Sequence, residues 1–243
     1  MIDKLKHKLH EAVKNGIISD DKFKMYIDSL PGLSKNKLEQ LNTFLTITSF
    51  YYSIKDYDYG FYGIDNHRYV YPDTEIDGIF QKYRTMNSET VHKHKCYVCW
   101  DATRLEAEWF KKNLPDIPIK CYYCEYAPPN CESHTWLTFK LGNNWYIFEA
   151  SWKPKTGIHR LDSTSPNVWI PRYIKDIPQS HGSGHYAVFE YDPLSEKTGL
   201  TTEEFMNNKW SCNKYNLPTT TISKMILTNI PHIKTLKSIY KFK

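Results

Sequence analysis

A thiol, an imidazole and a carboxylate follow one another in chain order at Cys99, His134 and Glu149, each beside a segment able to fix its direction. That set suits nucleophilic catalysis: the ring takes the thiol proton or pairs with a thiolate, and the carboxylate accepts a hydrogen bond from the other ring nitrogen. Behind Cys99, residues 101–113 read as an amphipathic helix. Ala102, Leu105, Trp109 and Phe110 fall on one face, while Arg104, Glu106, Glu108, Lys111 and Lys112 fall mostly on the other. Leu114-Pro115 ends it. Cys99 is thereby expected at or just before a helix N-terminus, where unpaired N–H groups and the positive end of the macrodipole favour a thiolate and can steady a developing oxyanion. A buried structural cysteine is the competing reading.

His134–Lys140 and Trp145–Trp152 are two β-prone runs separated by Leu141-Gly142-Asn143-Asn144. Gly142-Asn143 is a two-residue hairpin signal. It would set Leu141 opposite Asn144 and His134 opposite Ser151, with Trp136, Glu149 and Ser151 on the same face as His134. Glu149 then becomes a diagonal neighbour of His134, roughly 7 Å away between backbones. A three-residue loop would reverse that parity and send Glu149 to the other face. A surface histidine with an exposed glutamate is the alternative for this pair alone.

Zinc is the principal rival. Cys96-x-x-Cys99 and Cys121-x-x-Cys124 approach a four-cysteine spacing. Against it, neither pair has a nearby glycine for a tight knuckle, the segment between them is helical, and Ile119–Tyr126 reads as a strand in which residues three apart point to opposite faces. No metal or other cofactor is expected, and a disulfide framework is disfavoured in a chain able to build its own core.

The surrounding elements are expected to be mostly helical before residue 53. Leu5, Leu9, Ala12 and Val13 mark a first helix, Phe23, Tyr26, Ile27 and Leu30 a second, and Ser34 caps a third carrying Leu38, Leu41 and Leu45. Residues 1–52 are therefore read as an N-terminal helical extension and 53–243 as an α+β domain. Residues 53–90 look irregular, with a strand at Arg68–Tyr71, a helix near Ile76–Tyr83 and a helical turn at Ser88–Val91. Tyr186–Tyr191 reads as a strand and Thr201–Met206 as a capped helix start.

The net charge of +5 is spread along the chain, and only five of the 32 basic residues are arginine. A nucleic-acid binder would carry a denser stripe, so nucleic acid is not expected as a partner. No apolar run approaches the roughly 20 residues of a membrane span, and the start lacks the apolar core of a secretory signal. A cytoplasmic location follows as the expectation. The pattern leaves oligomeric state open.

At Tyr97-Val-Cys99-Trp100-Asp101-Ala102, His134-Thr135-Trp136-Leu137 and Ile147-Phe148-Glu149-Ala150-Ser151-Trp152 the chain resembles the transglutaminase-like branch of the papain-like cysteine enzymes, in particular a bacterial and phage group. The resemblance covers roughly residues 75–210. It implies an α+β fold with the nucleophile helix packed on an antiparallel sheet, and acyl transfer at a peptide or glutamine side-chain amide by Cys99, His134 and Glu149: peptide hydrolysis, deamidation or transamidation. The partner would be a protein or peptide substrate, and the chemistry needs no metal. Tyr97 stands where the group has glycine, Ala102 where it has glutamine, and Glu149 where the wider superfamily has aspartate. Those departures support the alternative reading, a phage-encoded binding or structural protein that keeps the fold without turnover. Trp100, Trp136 and Trp152, with Ser151, are candidates to line a peptide groove, against core packing. Gln81, with no other glutamine between Gln40 and Gln179, is the candidate oxyanion donor, against a solvated helix position.

Overall fold

Leu5, Leu9 and Ala12 recur at helical spacing and bury one side of helix α1, Ile2–Lys14. The computed structural model describes residues 1–126, 133–151, 157–160, 185–206 and 214–218. Gly16, at φ +69°, follows the end of α1, and α2 (Asp20–Ser29) comes next. Helix α3 (Lys35–Ile54) starts where the Ser34 hydroxyl accepts a hydrogen bond from the Lys37 N–H at 3.4 Å. This helix serves two cores. Leu38, Leu41 and Leu45 close a small cluster with Leu5, Leu9 and Leu30, whereas Phe44, Ile47, Phe50 and Ile54 enter the main core. Residue 52 thus lies inside α3, and the helical segment runs without a break into the rest.

Residues 53–90 hold more order than their composition suggests. Strand β1 (Asp58–Tyr62) pairs antiparallel with β2 (Arg68–Val70) and parallel with the two-residue β3 (Cys96–Tyr97). Gly60 reads as a breaker in sequence, but a Cβ there would overlap the Tyr69 carbonyl, so glycine is what lets the two strands close up. The helix expected near Ile76–Tyr83 is a single 3₁₀ turn, Ile79–Lys82. Helix α4 (Ser88–His94) is capped by the Asn87 side chain, which accepts from the Thr90 N–H at 2.8 Å.

Helix α5 (Cys99–Asn113) leads to an antiparallel sheet. Its strands are β4 (Ile119–Tyr126), β5 (Ser133–Leu141), β6 (Asn144–Glu149), β7 (Gly157–Arg160), β8 (His185–Tyr191) and β9 (Lys214–Pro218), in spatial order β7-β6-β5-β4-β8-β9. Leu105 and Phe110 of α5 share the main core with Leu137, Phe139 and Phe148 of the sheet, and the Phe110 and Phe139 rings lie 5.3 Å apart. Fully burying each such side chain is worth roughly 1.5–3 kcal/mol, enough to fix how the helix sits on the strands. The short α6 (Thr202–Met206) opens with a reciprocal cap: Thr201 Oγ1 accepts from Glu204 N–H at 3.0 Å, and Glu204 Oε2 accepts from Thr201 N–H at 2.8 Å. The architecture is α+β. Among the described residues no helix is long and apolar enough to cross a membrane.

Candidate functional site

Cys99 is the first residue of α5 and is only 6% exposed. The helix start is held by Asp101. Its Oδ2 accepts from the Val98 N–H at 3.3 Å, and its Oδ1 accepts from the Tyr83 hydroxyl at 2.9 Å and the Met86 N–H at 2.7 Å. Val98 has no side-chain oxygen to return the favour, so only the carboxylate half of a capping box is built. Burial pushes the Asp101 acid up to about 7, against the pull of those three donors.

The β5–β6 hairpin turns at Gly142-Asn143, with Gly142 at φ +60° and register pairs Leu141↔Asn144 and Leu137↔Phe148. This is the two-residue parity expected from sequence. Glu149 Oε2 lies 2.8 Å from His134 Nε2. The other oxygen, Oε1, accepts from the Ser151 N–H at 3.1 Å and the Ser151 hydroxyl at 3.0 Å. The Cys99 thiol lies near enough to act on the same ring and helps it hold its proton. Burial disfavours a charged ring. The Glu149 carboxylate and the hydrogen bonds to Cys99 and Glu149 outweigh it, and His134 is pushed up to about 10. An imidazolium donates from Nε2, which matches the Glu149 carboxylate there.

The other residues singled out in sequence fall in different places. Ser151 is buried behind the carboxylate and steadies Glu149. Trp136 is buried, stacked between Tyr122 (5.7 Å) and His134 (6.1 Å), so it packs the back of the imidazole. Trp100 stacks on Phe205 at 4.2 Å and is 9% exposed. Trp152 lies outside the described residues. Gln81 is solvent-exposed on the 3₁₀ turn, and no contact among the described residues joins it to Cys99. Cys96 and Cys121 are buried free thiols, pushed up by burial to about 11 and well above the usual range respectively. The side chain of Cys124 lies outside the described residues, among which no three His, Cys, Asp or Glu side chains gather as metal ligands would.

Four further residues surround the site. Thr103, one turn along from Cys99, donates to the Cys99 carbonyl at 3.0 Å and meets Thr135, the neighbour of His134, at 3.0 Å. Tyr59 on β1 lies within the electrostatic reach of Cys99, Asp101 and Glu149; burial first, and then those charges, raise its phenol. Glu106, expected on the solvent face of α5, is instead 1% exposed, and its acid is raised well above the usual range by burial and then by Glu149. The i, i+4, i+7 spacing of Cys99, Thr103 and Glu106 was the available signal for a polar stripe turned inward.

The chain matches no family model, and neither a curated protein nor a solved structure proved similar to it.

Proposed function

We propose that this chain is a cysteine-dependent acyl-transfer enzyme of papain-like, transglutaminase-like type, acting on peptide or glutamine side-chain amides. The observation that carries the reading is the buried His134–Glu149 pair at 2.8 Å, with the Cys99 thiol acting on the same ring from the first residue of a helix. Cys99 Sγ attacks the amide carbon; a C–S bond forms and the carbonyl π pair moves onto oxygen. As the carbonyl re-forms, the C–N bond breaks and His134 gives its proton to the departing nitrogen. A water or an amine then attacks the thioester, returns a proton to His134 and releases the thiolate. Water gives hydrolysis or deamidation, and an amine gives transamidation. Glu149, locked by Ser151, keeps the ring aimed and balances its charge.

Iodoacetamide near pH 7 tests the reading. Fast alkylation confined to Cys99, and lost in His134→Ala, supports it. Uniform slow labelling of several cysteines would instead indicate a fold that binds without turnover.

A further inference from the structure

We infer that the Tyr59 hydroxyl is the side-chain donor to the substrate carbonyl oxygen as Cys99 attacks, the contact for which the sequence offered Gln81. This rests on the acyl-transfer reading above and names one more group in that site. The placement comes from the small sheet. Tyr59 sits opposite Tyr97 in the parallel β1–β3 pair, and Tyr97 precedes Cys99 by two residues. Partners in a parallel pair project to the same side of the sheet. On that side the Tyr97 hydroxyl reaches the Ala150 carbonyl at 3.2 Å, next along the chain from Glu149. Tyr59 is therefore directed toward the end of β6 where the carboxylate of the triad stands.

Neighbouring phenols are already committed. The Tyr83 hydroxyl donates to Asp101, the Tyr97 hydroxyl to the Ile54 and Ala150 carbonyls, and the Tyr57 hydroxyl meets His92 Nδ1 at 2.9 Å. The Tyr59 hydroxyl hydrogen-bonds none of the described residues, and its side chain is half-buried, so the donor remains available. Burial and the surrounding negative charges hold the phenol in its protonated form, as a donor must be. In the step itself the Cys99 Sγ–C bond forms and the π pair settles on the carbonyl oxygen. Tyr59 keeps its proton and strengthens its hydrogen bond as charge develops there, beside the free N–H groups at the start of α5.

Two reagents separate this role from the reactivity of the thiol. p-Nitrophenyl acetate acylates a cysteine through a tetrahedral oxyanion, forming C–S, breaking C–O and releasing p-nitrophenolate. Iodoacetamide alkylates the same sulfur by displacement of iodide, with no oxyanion. In Tyr59→Phe, acetylation of Cys99 should slow about 10²-fold while alkylation keeps the wild-type rate. The unchanged alkylation also certifies that the variant is folded. Equal acetylation in wild type and variant overturns the assignment, as does an equal slowing of both reactions, which would place Tyr59 on the thiol or in the fold. A wild-type Cys99 that takes neither reagent defeats the acyl-transfer reading, and this inference with it.

Discussion

Thr103 and Thr135 meet hydroxyl to hydroxyl at 3.0 Å, joining the helix that bears Cys99 to the strand that bears His134. Thr103 already gives its hydrogen to the Cys99 carbonyl, so Thr135 is the donor between them. Both side chains are about 1% exposed, and removing either takes away a buried hydrogen bond. Thr103→Val and Thr135→Val should each cost about 1–3 kcal/mol in urea unfolding. The double variant should lose less than the two losses together, because one shared contact is removed twice. Strict additivity would show that the hydroxyls do not interact.

What could be read from sequence depended on how local each signal is. The α5 start and the β5–β6 hairpin follow from short-range periodicity and a two-residue turn, and those two elements carry Cys99, His134 and Glu149. β1 escaped because Gly60 punctuates its pattern, although the glycine is there to admit Tyr69. Tyr59 could not be placed, since its position depends on parallel pairing with a strand of two residues nearly forty positions away. Glu106 was misplaced for a different reason: an amphipathic reading sends every charge outward, and this one is buried beneath the site. Gly142-Asn143 was informative because a two-residue turn puts the carboxylate on the same face as the ring.

His134 should make stability depend on alkaline pH. Its ordinary value is 6.5 and in the fold it is pushed up to about 10, so between those limits the folded chain holds a proton that the unfolded chain releases. The stabilisation it brings is complete below about pH 6.5 and is lost as pH rises through about 10. Breaking the buried pair in His134→Gln should cost about 3–5 kcal/mol near neutrality. Urea titrations of wild type and variant at pH 7, 8.5 and 10 should converge as pH rises; a constant gap would mean the ring is not charged.

Glu106 should respond in the same direction. Its Oε2 is buried with no hydrogen-bond partner among the described residues, and its acid is raised well above the usual 4.5 by burial and then by Glu149. The fold therefore keeps a proton the unfolded chain gives up, a gain that is full below about pH 4.5 and fades as pH climbs through the raised value. Glu106→Gln supplies a neutral amide of the same shape. Its thermal midpoint should match wild type under acidic conditions and exceed it at pH 9. Two midpoints that track each other across pH would show that this carboxyl titrates alike in the folded and unfolded chain.

Gly142 ties the chemistry to the turn. Its φ of +60° is cheap for glycine and costly for any residue with a Cβ, and a Cβ there would stand 2.9 Å from Gln40 Nε2 on α3. The Gln40 side chain can swing aside, so most of the expected cost is backbone strain, about 1 kcal/mol for Gly142→Ala. If the hairpin keeps its two-residue turn, that loss appears in unfolding alone and Cys99 alkylates at the wild-type rate. Lengthening the turn by one glycine after Gly142 is a harsher test. A three-residue loop reverses the alternation along β6, so Glu149 and Ser151 would leave the face of His134 while Phe148 would enter it. The core resists that exchange, because Phe148 is fully buried against Phe50 and Phe110. The inserted residue should therefore be absorbed as a bulge, with cooperative unfolding retained and iodoacetamide reactivity at Cys99 largely intact. Loss of reactivity in a chain that still unfolds cooperatively would mean that the turn, and not the packing of Phe148, holds the carboxylate on the imidazole.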